Sequence, residues 1–141
     1  DLFRLRFMER YVYRMFYGTG YEEKFKAIEN VTNELIESDS VFRTVYNNFA
    51  SKYDTLQICI SEVCAQYILI PNRVILQAQV SAGTPTIYIL PAYENLILTE
   101  YLNKRPTKAL EYVIQGYKEG KVIFINTNVM ELLDALGWSL I

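Results

Sequence analysis

The chain has 141 residues, 51% of them hydrophobic and 21% charged, with a formal net charge of −2. This is the length and mix of one packed domain that needs no metal or disulfide to bury a core, and it excludes a disordered chain. The near-neutral balance also excludes nucleic-acid binding driven by bulk charge, so an anionic partner would have to bind at a local basic patch.

No stretch of about 20 apolar residues is present, and Gln66, Pro71, Asn72 and Arg73 interrupt the most apolar run, so no transmembrane segment is expected. Arg4, Arg6, Arg10 and Arg14 break up any cleavable signal pattern. Asp1 is not an initiator, which makes Met8 a candidate native start. Cys59 and Cys64 stand five apart, which is not a C-x-x-C spacing, and no His exists to complete a zinc set. Reduced, buried thiols and a reducing, cytoplasmic setting are the expectation.

In chain order, residues 2–17 read as a helix with Leu5, Met8, Val12 and Met15 on one face. Gly18-Thr19-Gly20 ends it, and Thr19 with Glu22 forms a T-x-x-E capping box for a second helix. That helix carries a stripe of Phe25, Ile28, Val31 or Thr32, and Leu35. Ser38-Asp39-Ser40 breaks it and caps a third helix with Phe42, Val45, Tyr46, Phe49 and Tyr53 at helical spacing. The centre reads two ways: Leu56, Ile58 and Ile60 alternate like a strand, whereas Leu56, Ile60, Val63 and Tyr67 fit a helix. The helical reading is taken, up to about Ile68.

After Pro71, Val74 to Val80 alternate as a strand. Thr86 to Leu90 and Lys121 to Asn126 are short apolar runs expected as buried strands. Between them lie a helix with Tyr93, Leu96, Ile97 and Tyr101 and a helix capped by Thr107 and closed by Gly120. Asn128 opens a last helix, and Trp138 to Ile141 is a candidate final strand. The expected fold is therefore α/β (or α+β), a single domain over 1–141. Residues 1–70 are mainly helical, and residues 71–141 form a small, mostly parallel sheet with alternating helices.

The absence of His removes Ser-His-Asp, Cys-His and H-E-x-x-H chemistry, and no glycine-rich phosphate loop is present. No catalytic residue, metal ligand or cofactor is assigned. Three features could bind. Arg6, Arg10 and Arg14 fall at i, i+4 and i+8 on a helix flanked by Phe3, Phe7, Tyr13 and Tyr17, a pattern suited to single-stranded nucleic acid. Arg43, Asn47, Asn48 and Lys52 lie on one polar helix face, and Arg and Asn are the side chains that pair with base edges. Glu94 and Asn126-Thr127-Asn128 follow the two apolar runs, where an α/β sheet binds ligands such as nucleotides.

Twelve Tyr and seven Phe favour self-association, because Tyr joins an apolar body to a polar tip. The sequence reading is a non-enzymatic, homo-oligomeric interaction domain with a nucleic-acid contact at the Arg helix. The alternatives are a small-ligand or nucleotide-binding domain using the sheet edge, and a structural subunit of a viral or mobile-element assembly.

Overall fold

The computed structural model describes the backbone of residues 2–77 and 81–135 and the side chains of residues 20–77 and 81–135. It opens on helix α1 (Leu2–Ser38), 37 residues or about 55 Å at 1.5 Å per residue. The break expected at Gly18-Thr19-Gly20 does not occur. Glycine in a helix interior costs about 1 kcal/mol against alanine, a modest penalty with no proline to remove a donor. Burial of Phe25, Ile28, Leu35 and Ile36 further along the same helix offsets it. Thr19 and Glu22 are therefore interior positions, not a capping box.

Asp39 ends α1 and starts α2 (Ser40–Lys52), its carboxylate accepting from the amides of Val41 and Phe42 at 3.0 and 3.1 Å. The helix expected over residues 55–68 is instead a hairpin of β1 (Thr55–Ile60) and β2 (Val63–Ile70), followed by β3 (Arg73–Gln77). Ser61 at φ 58° makes the first turn, although neither Ser61 nor Glu62 is the Gly, Asn or Asp that a positive φ favours. Pro71 and Asn72, with Asn72 at φ 65°, make the second in the residue order of a type II turn. Tyr46 braces that turn by sharing its hydroxyl proton between the carbonyls of Ile70 and Arg73, at 2.9 and 2.5 Å. Burial pushes the Tyr46 pKa up to about 12, so it stays a donor at ordinary pH.

The chain continues through β4 (Thr86–Ile89), α3 (Pro91–Leu102), α4 (Pro106–Lys118), β5 (Val122–Ile125) and α5 (Val129–Ala135). Gly120 supplies the expected left-handed residue after α4, at φ 75°. Its amide reaches Tyr117 O at 3.1 Å and the Lys121 amide reaches Gly116 O at 2.7 Å, closing the helix end. Lys104 does the same after α3 at φ 62°. Thr107 is not a cap, because α4 begins at Pro106 with Arg105 before it. On α3, Leu98 rather than Leu96 faces inward. The proposed strands at residues 78–80 and 138–141, and the helix end at Gly137, lie outside the described residues.

The α/β class is as read, but the sheet is mixed. Its order is β3-β2-β1-β4-β5, with β1 and β4 parallel and the other three pairings antiparallel. The two hairpins β1–β2 and β2–β3 account for two of those pairings, and β5 runs back along β4 instead of parallel to it. Strand registers place Leu56, Ile58, Ile60, Tyr67, Leu69, Val74, Ile87, Ile89, Val122 and Phe124 on one face. Every strand residue in the two hydrophobic clusters belongs to that face, so the helices pack on one side only. The result is two layers, helices on sheet.

The two edges of the sheet are treated differently. At the β3 edge, α1 supplies what a neighbouring strand would. Asn33 donates to Val74 O at 3.0 Å and accepts from the Val74 amide at 2.9 Å. Glu29 accepts from the Leu76 amide at 2.8 Å. Burial pushes the Glu29 carboxyl up, but bonds from Lys26 and the Leu76 amide, with the charges of Lys26 and Arg73, outweigh it and hold it below the usual value. The β5 edge has no such cover among the described residues.

Candidate functional site

The face turned away from the helices carries Gln57, Cys59, Cys64, Gln66, Ile68, Ile75, Thr86, Tyr88, Ile123 and Ile125. Among the described residues no helix packs on it. Its centre is closed locally by the chain returning from β3 to β4. There Gln66 accepts from the Ser81 amide at 2.6 Å and from Thr84 Oγ1 at 3.4 Å, and Gln57 accepts from Thr86 Oγ1 at 3.2 Å. These bonds let Gln66 sit buried without an orphaned amide oxygen. Towards β5 the surface turns apolar: Ile123 and Ile125 are each 43% exposed.

The geometry of β5 follows from one bond. The Leu90 amide donates to Lys121 O at 3.0 Å, which makes that opposed pair hydrogen-bonded. Antiparallel pairs alternate, so Ile123 and Ile125 turn their backbone groups toward β4, and Val122 and Phe124 turn theirs outward. Val122 and Phe124 also send their side chains into the core. The strand is thus anchored on its inner face and turns the peptide groups of half-buried Phe124 to its edge, while those of Val122 are buried. The sequence run Lys121 to Asn126 was expected to be a buried strand. Among the described residues it is an edge strand, and neither its composition nor its length distinguishes the two.

Cys59 and Cys64 correct the expectation of reduced thiols. They are cross-strand partners in the β1–β2 hairpin and form a disulfide, with Cα atoms 4.0 Å apart. Read as a helix, a spacing of five turns such residues to different faces, which hid the pair. The argument for a reducing compartment loses its basis, since structural disulfides persist in oxidising ones. No helix among the described residues is long and apolar enough to cross a membrane.

The nucleic-acid candidates separate. Arg6, Arg10 and Arg14 stand on α1, and their side chains lie outside the described residues. On α2, Arg43 is engaged within the fold: its Nε donates to Ile36 O at 2.7 Å and its Nη2 to Glu37 O at 2.8 Å, closing the end of α1. Asn47 bonds Asn72 twice, at 2.8 Å each, and so holds the β2–β3 turn. Asn48 and Lys52 are exposed. Two of the four residues read as a base-contacting face are therefore structural fasteners.

The ligand candidates do not meet. Because β5 is antiparallel to β4, Asn126 lies beside the start of β4, where its Nδ2 donates to Thr84 O at 3.3 Å. Glu94 lies past the other end of β4, buried on α3 and paired with Lys24 of α1 at 2.6 Å. Asn128 caps α5, accepting from the amides of Met130 and Glu131 at 2.9 and 3.2 Å. Thr127 is half-buried between them. A crevice at the carboxyl ends of parallel strands needs β5 parallel to β4, and it is not.

Among the described residues, no group of three or more Cys, Asp or Glu side chains is placed to hold a metal ion. The residues that organise the site and that sequence reasoning passed over are Asn33 and Glu29. Four apart on α1, they share a helix face, but so do many solvated pairs, and only the position of β3 gives them a role. No protein-family model, curated protein or solved structure matches the chain.

Proposed function

We propose that this chain is a non-enzymatic interaction domain that assembles with copies of itself through the outer edge of β5. The observation that carries this is the unequal treatment of the two sheet edges. Exposed strand edges invite pairing, and folds that must avoid it cover them. Here β3 is covered by Asn33 and Glu29, while β5 turns the peptide groups of half-buried Phe124 outward, those of Val122 being buried. A second copy is the occupant that fits. Antiparallel pairing of β5 with its symmetry mate brings Ile123 and Ile125 of both copies onto one continuous face. It also stops at two chains, because each far edge is already closed. The experiment is amide hydrogen exchange at two protein concentrations. The amide of Phe124 should gain protection on concentration, while those of buried Val122 and of Ile123 and Ile125 stay protected throughout. Equal exchange at both concentrations would contradict the proposal.

Contact with nucleic acid along Arg6, Arg10 and Arg14 is the second reading. The helical course of residues 2–17 within α1 favours it, since the three positions repeat along one helix at four-residue spacing. Replacing all three by Gln should lower the salt dependence of binding to a single strand by about 0.7 per lost phosphate contact. A salt dependence equal to that of the unmodified chain would contradict it. For the compartment, the Cys59–Cys64 bond supports an oxidising setting over the reducing cytoplasm first expected.

A further inference from the structure

We infer that the space between the helical layer and the centre of the sheet is a binding cavity for a small, uncharged, hydrocarbon-rich molecule. The helices cover the inner face in two groups, α1 with α2 and α3 with α4, and a cavity of about 330 Å³ lies between them. Its floor includes Leu56, Ile58 and Ile87, and α2 and α4 wall it with Val45 and Val113. The floor shows the effect. Ile58 and Ile87 sit at the centre of the sheet on its helix-covered face yet remain half-buried, while Ile60 and Ile89 on the same strands are buried. Among the described residues, side chains there lack the atoms that a packed interior would set against them, and an unfilled space forfeits those dispersion contacts.

The lining fixes the chemistry of what can fill it. Each buried or half-buried hydroxyl that reaches the wall already has a partner, and only that of exposed Thr107 makes no hydrogen bond among the described residues. Thr32 Oγ1 donates to Ile28 O at 2.7 Å, so the Tyr101 hydroxyl must donate to Thr32, at 2.5 Å. Tyr46 is committed to the β2–β3 turn, and Tyr67 donates to Phe25 O at 2.7 Å. One oxygen of the Asp39 carboxylate, Oδ1, is taken by two amides of α2. An ordered water needs two to four polar partners, and an ion needs more, so neither is well held. An apolar molecule needs none. At about 30 Å³ per water-sized group, the volume takes roughly eleven such groups, the size of two fused rings or a short alkyl chain.

The test uses the uncharged fluorescent dye 1-methylnaphthalene, two fused rings and a methyl group, titrated into the full chain. One saturable site with a dissociation constant of about 10 µM is expected. Val45→Phe and Val113→Phe, made separately, place a ring in the cavity from opposite walls. Each should weaken the dye by at least about tenfold, with circular dichroism unchanged and the melting temperature equal or higher. The double change Ile123→Lys with Ile125→Lys, which alters the open sheet face, should leave dye affinity as it was. This separates the cavity from the self-association proposed above, whose failure would not touch it. Nuclear Overhauser contacts between the dye and the methyl groups of Ile58 and Ile87 give a reading that needs no variant. No saturable binding, binding indifferent to both Phe variants, or binding lost only in the Lys variant would overturn the inference. Overhauser contacts from those methyls to the chain itself in place of the dye would do the same.

Discussion

Replacing Asn33 by Ala tests the closed edge of the sheet. The side chain makes two hydrogen bonds to one residue, donating to Val74 O at 3.0 Å and accepting from the Val74 amide at 2.9 Å, and Val74 is 4% exposed. Removing it leaves a peptide N–H and C=O without partners in a largely dry place. An orphaned buried polar group costs about 1–3 kcal/mol. If water reaches one of the two, the loss is about 2 kcal/mol; if it reaches neither, about 4 kcal/mol. Urea unfolding reads this directly. With a slope of roughly 1–3 kcal/mol per molar, the midpoint should fall by on the order of 1 M or more. Asn33→Asp keeps the acceptor for the Val74 amide and loses the donor, so it should fall between. The variant should also associate through β3, giving species larger than the parent at equal concentration. A stability change below about 0.5 kcal/mol, with no new association, would refute the idea that α1 stands in for a strand.

Gly20→Ala should stabilise the chain by up to about 1 kcal/mol, because Gly20 lies inside a continuous helix with open space around an added methyl group. Thermal melting checks it, and a loss would favour the broken helix. Gly116→Ala should destabilise by about 1–3 kcal/mol, since the new Cβ would stand 2.5 Å from Val122 Cγ2 and 3.2 Å from the Tyr93 ring. Full stability in chemical unfolding would show that α4 is not seated tightly on β5. The Glu29 carboxyl is held below its ordinary value of 4.5, so its contribution is present above that pH and is lost as pH falls through the folded-state value. Glu29→Gln should therefore flatten the acid limb of a stability–pH curve below about 4.5, and an unchanged limb would remove Glu29 from the edge.

What the sequence made legible was local. Asp39 and Asn128 were readable as caps because their side chains act within three residues. Gly120 was readable because only a left-handed residue closes that helix end, and Thr86 to Leu90 because an apolar run bounded by prolines has few other uses. The β1–β2 hairpin was missed for a definite reason. Leu56, Ile60, Val63 and Tyr67 satisfy the helical period by accident of the two-residue turn at Ser61-Glu62, and that turn carries no Gly or Asn to announce itself. The disulfide went with it, since Cys59 and Cys64 oppose each other only across the hairpin. The site was less legible than the fold. Whether β5 runs with or against β4 decides if Glu94 and Asn126 meet, and strand direction leaves no mark on four residues. The partners of Arg43 and Asn47 are a helix end and a turn that had first to be located.

The central claim is that β5 joins one copy of this chain to another. Sedimentation equilibrium of the unmodified chain and of the double variant Ile123→Lys with Ile125→Lys, at matched micromolar concentrations, tests it most directly. Both side chains are 43% exposed, so the fold should tolerate the change, while two lysines from each copy would face their counterparts across the two-fold axis. The account predicts a dimer mass for the unmodified chain and a monomer mass for the variant at equal folded content. A monomer in both, or an oligomer that the lysines leave intact, would contradict it.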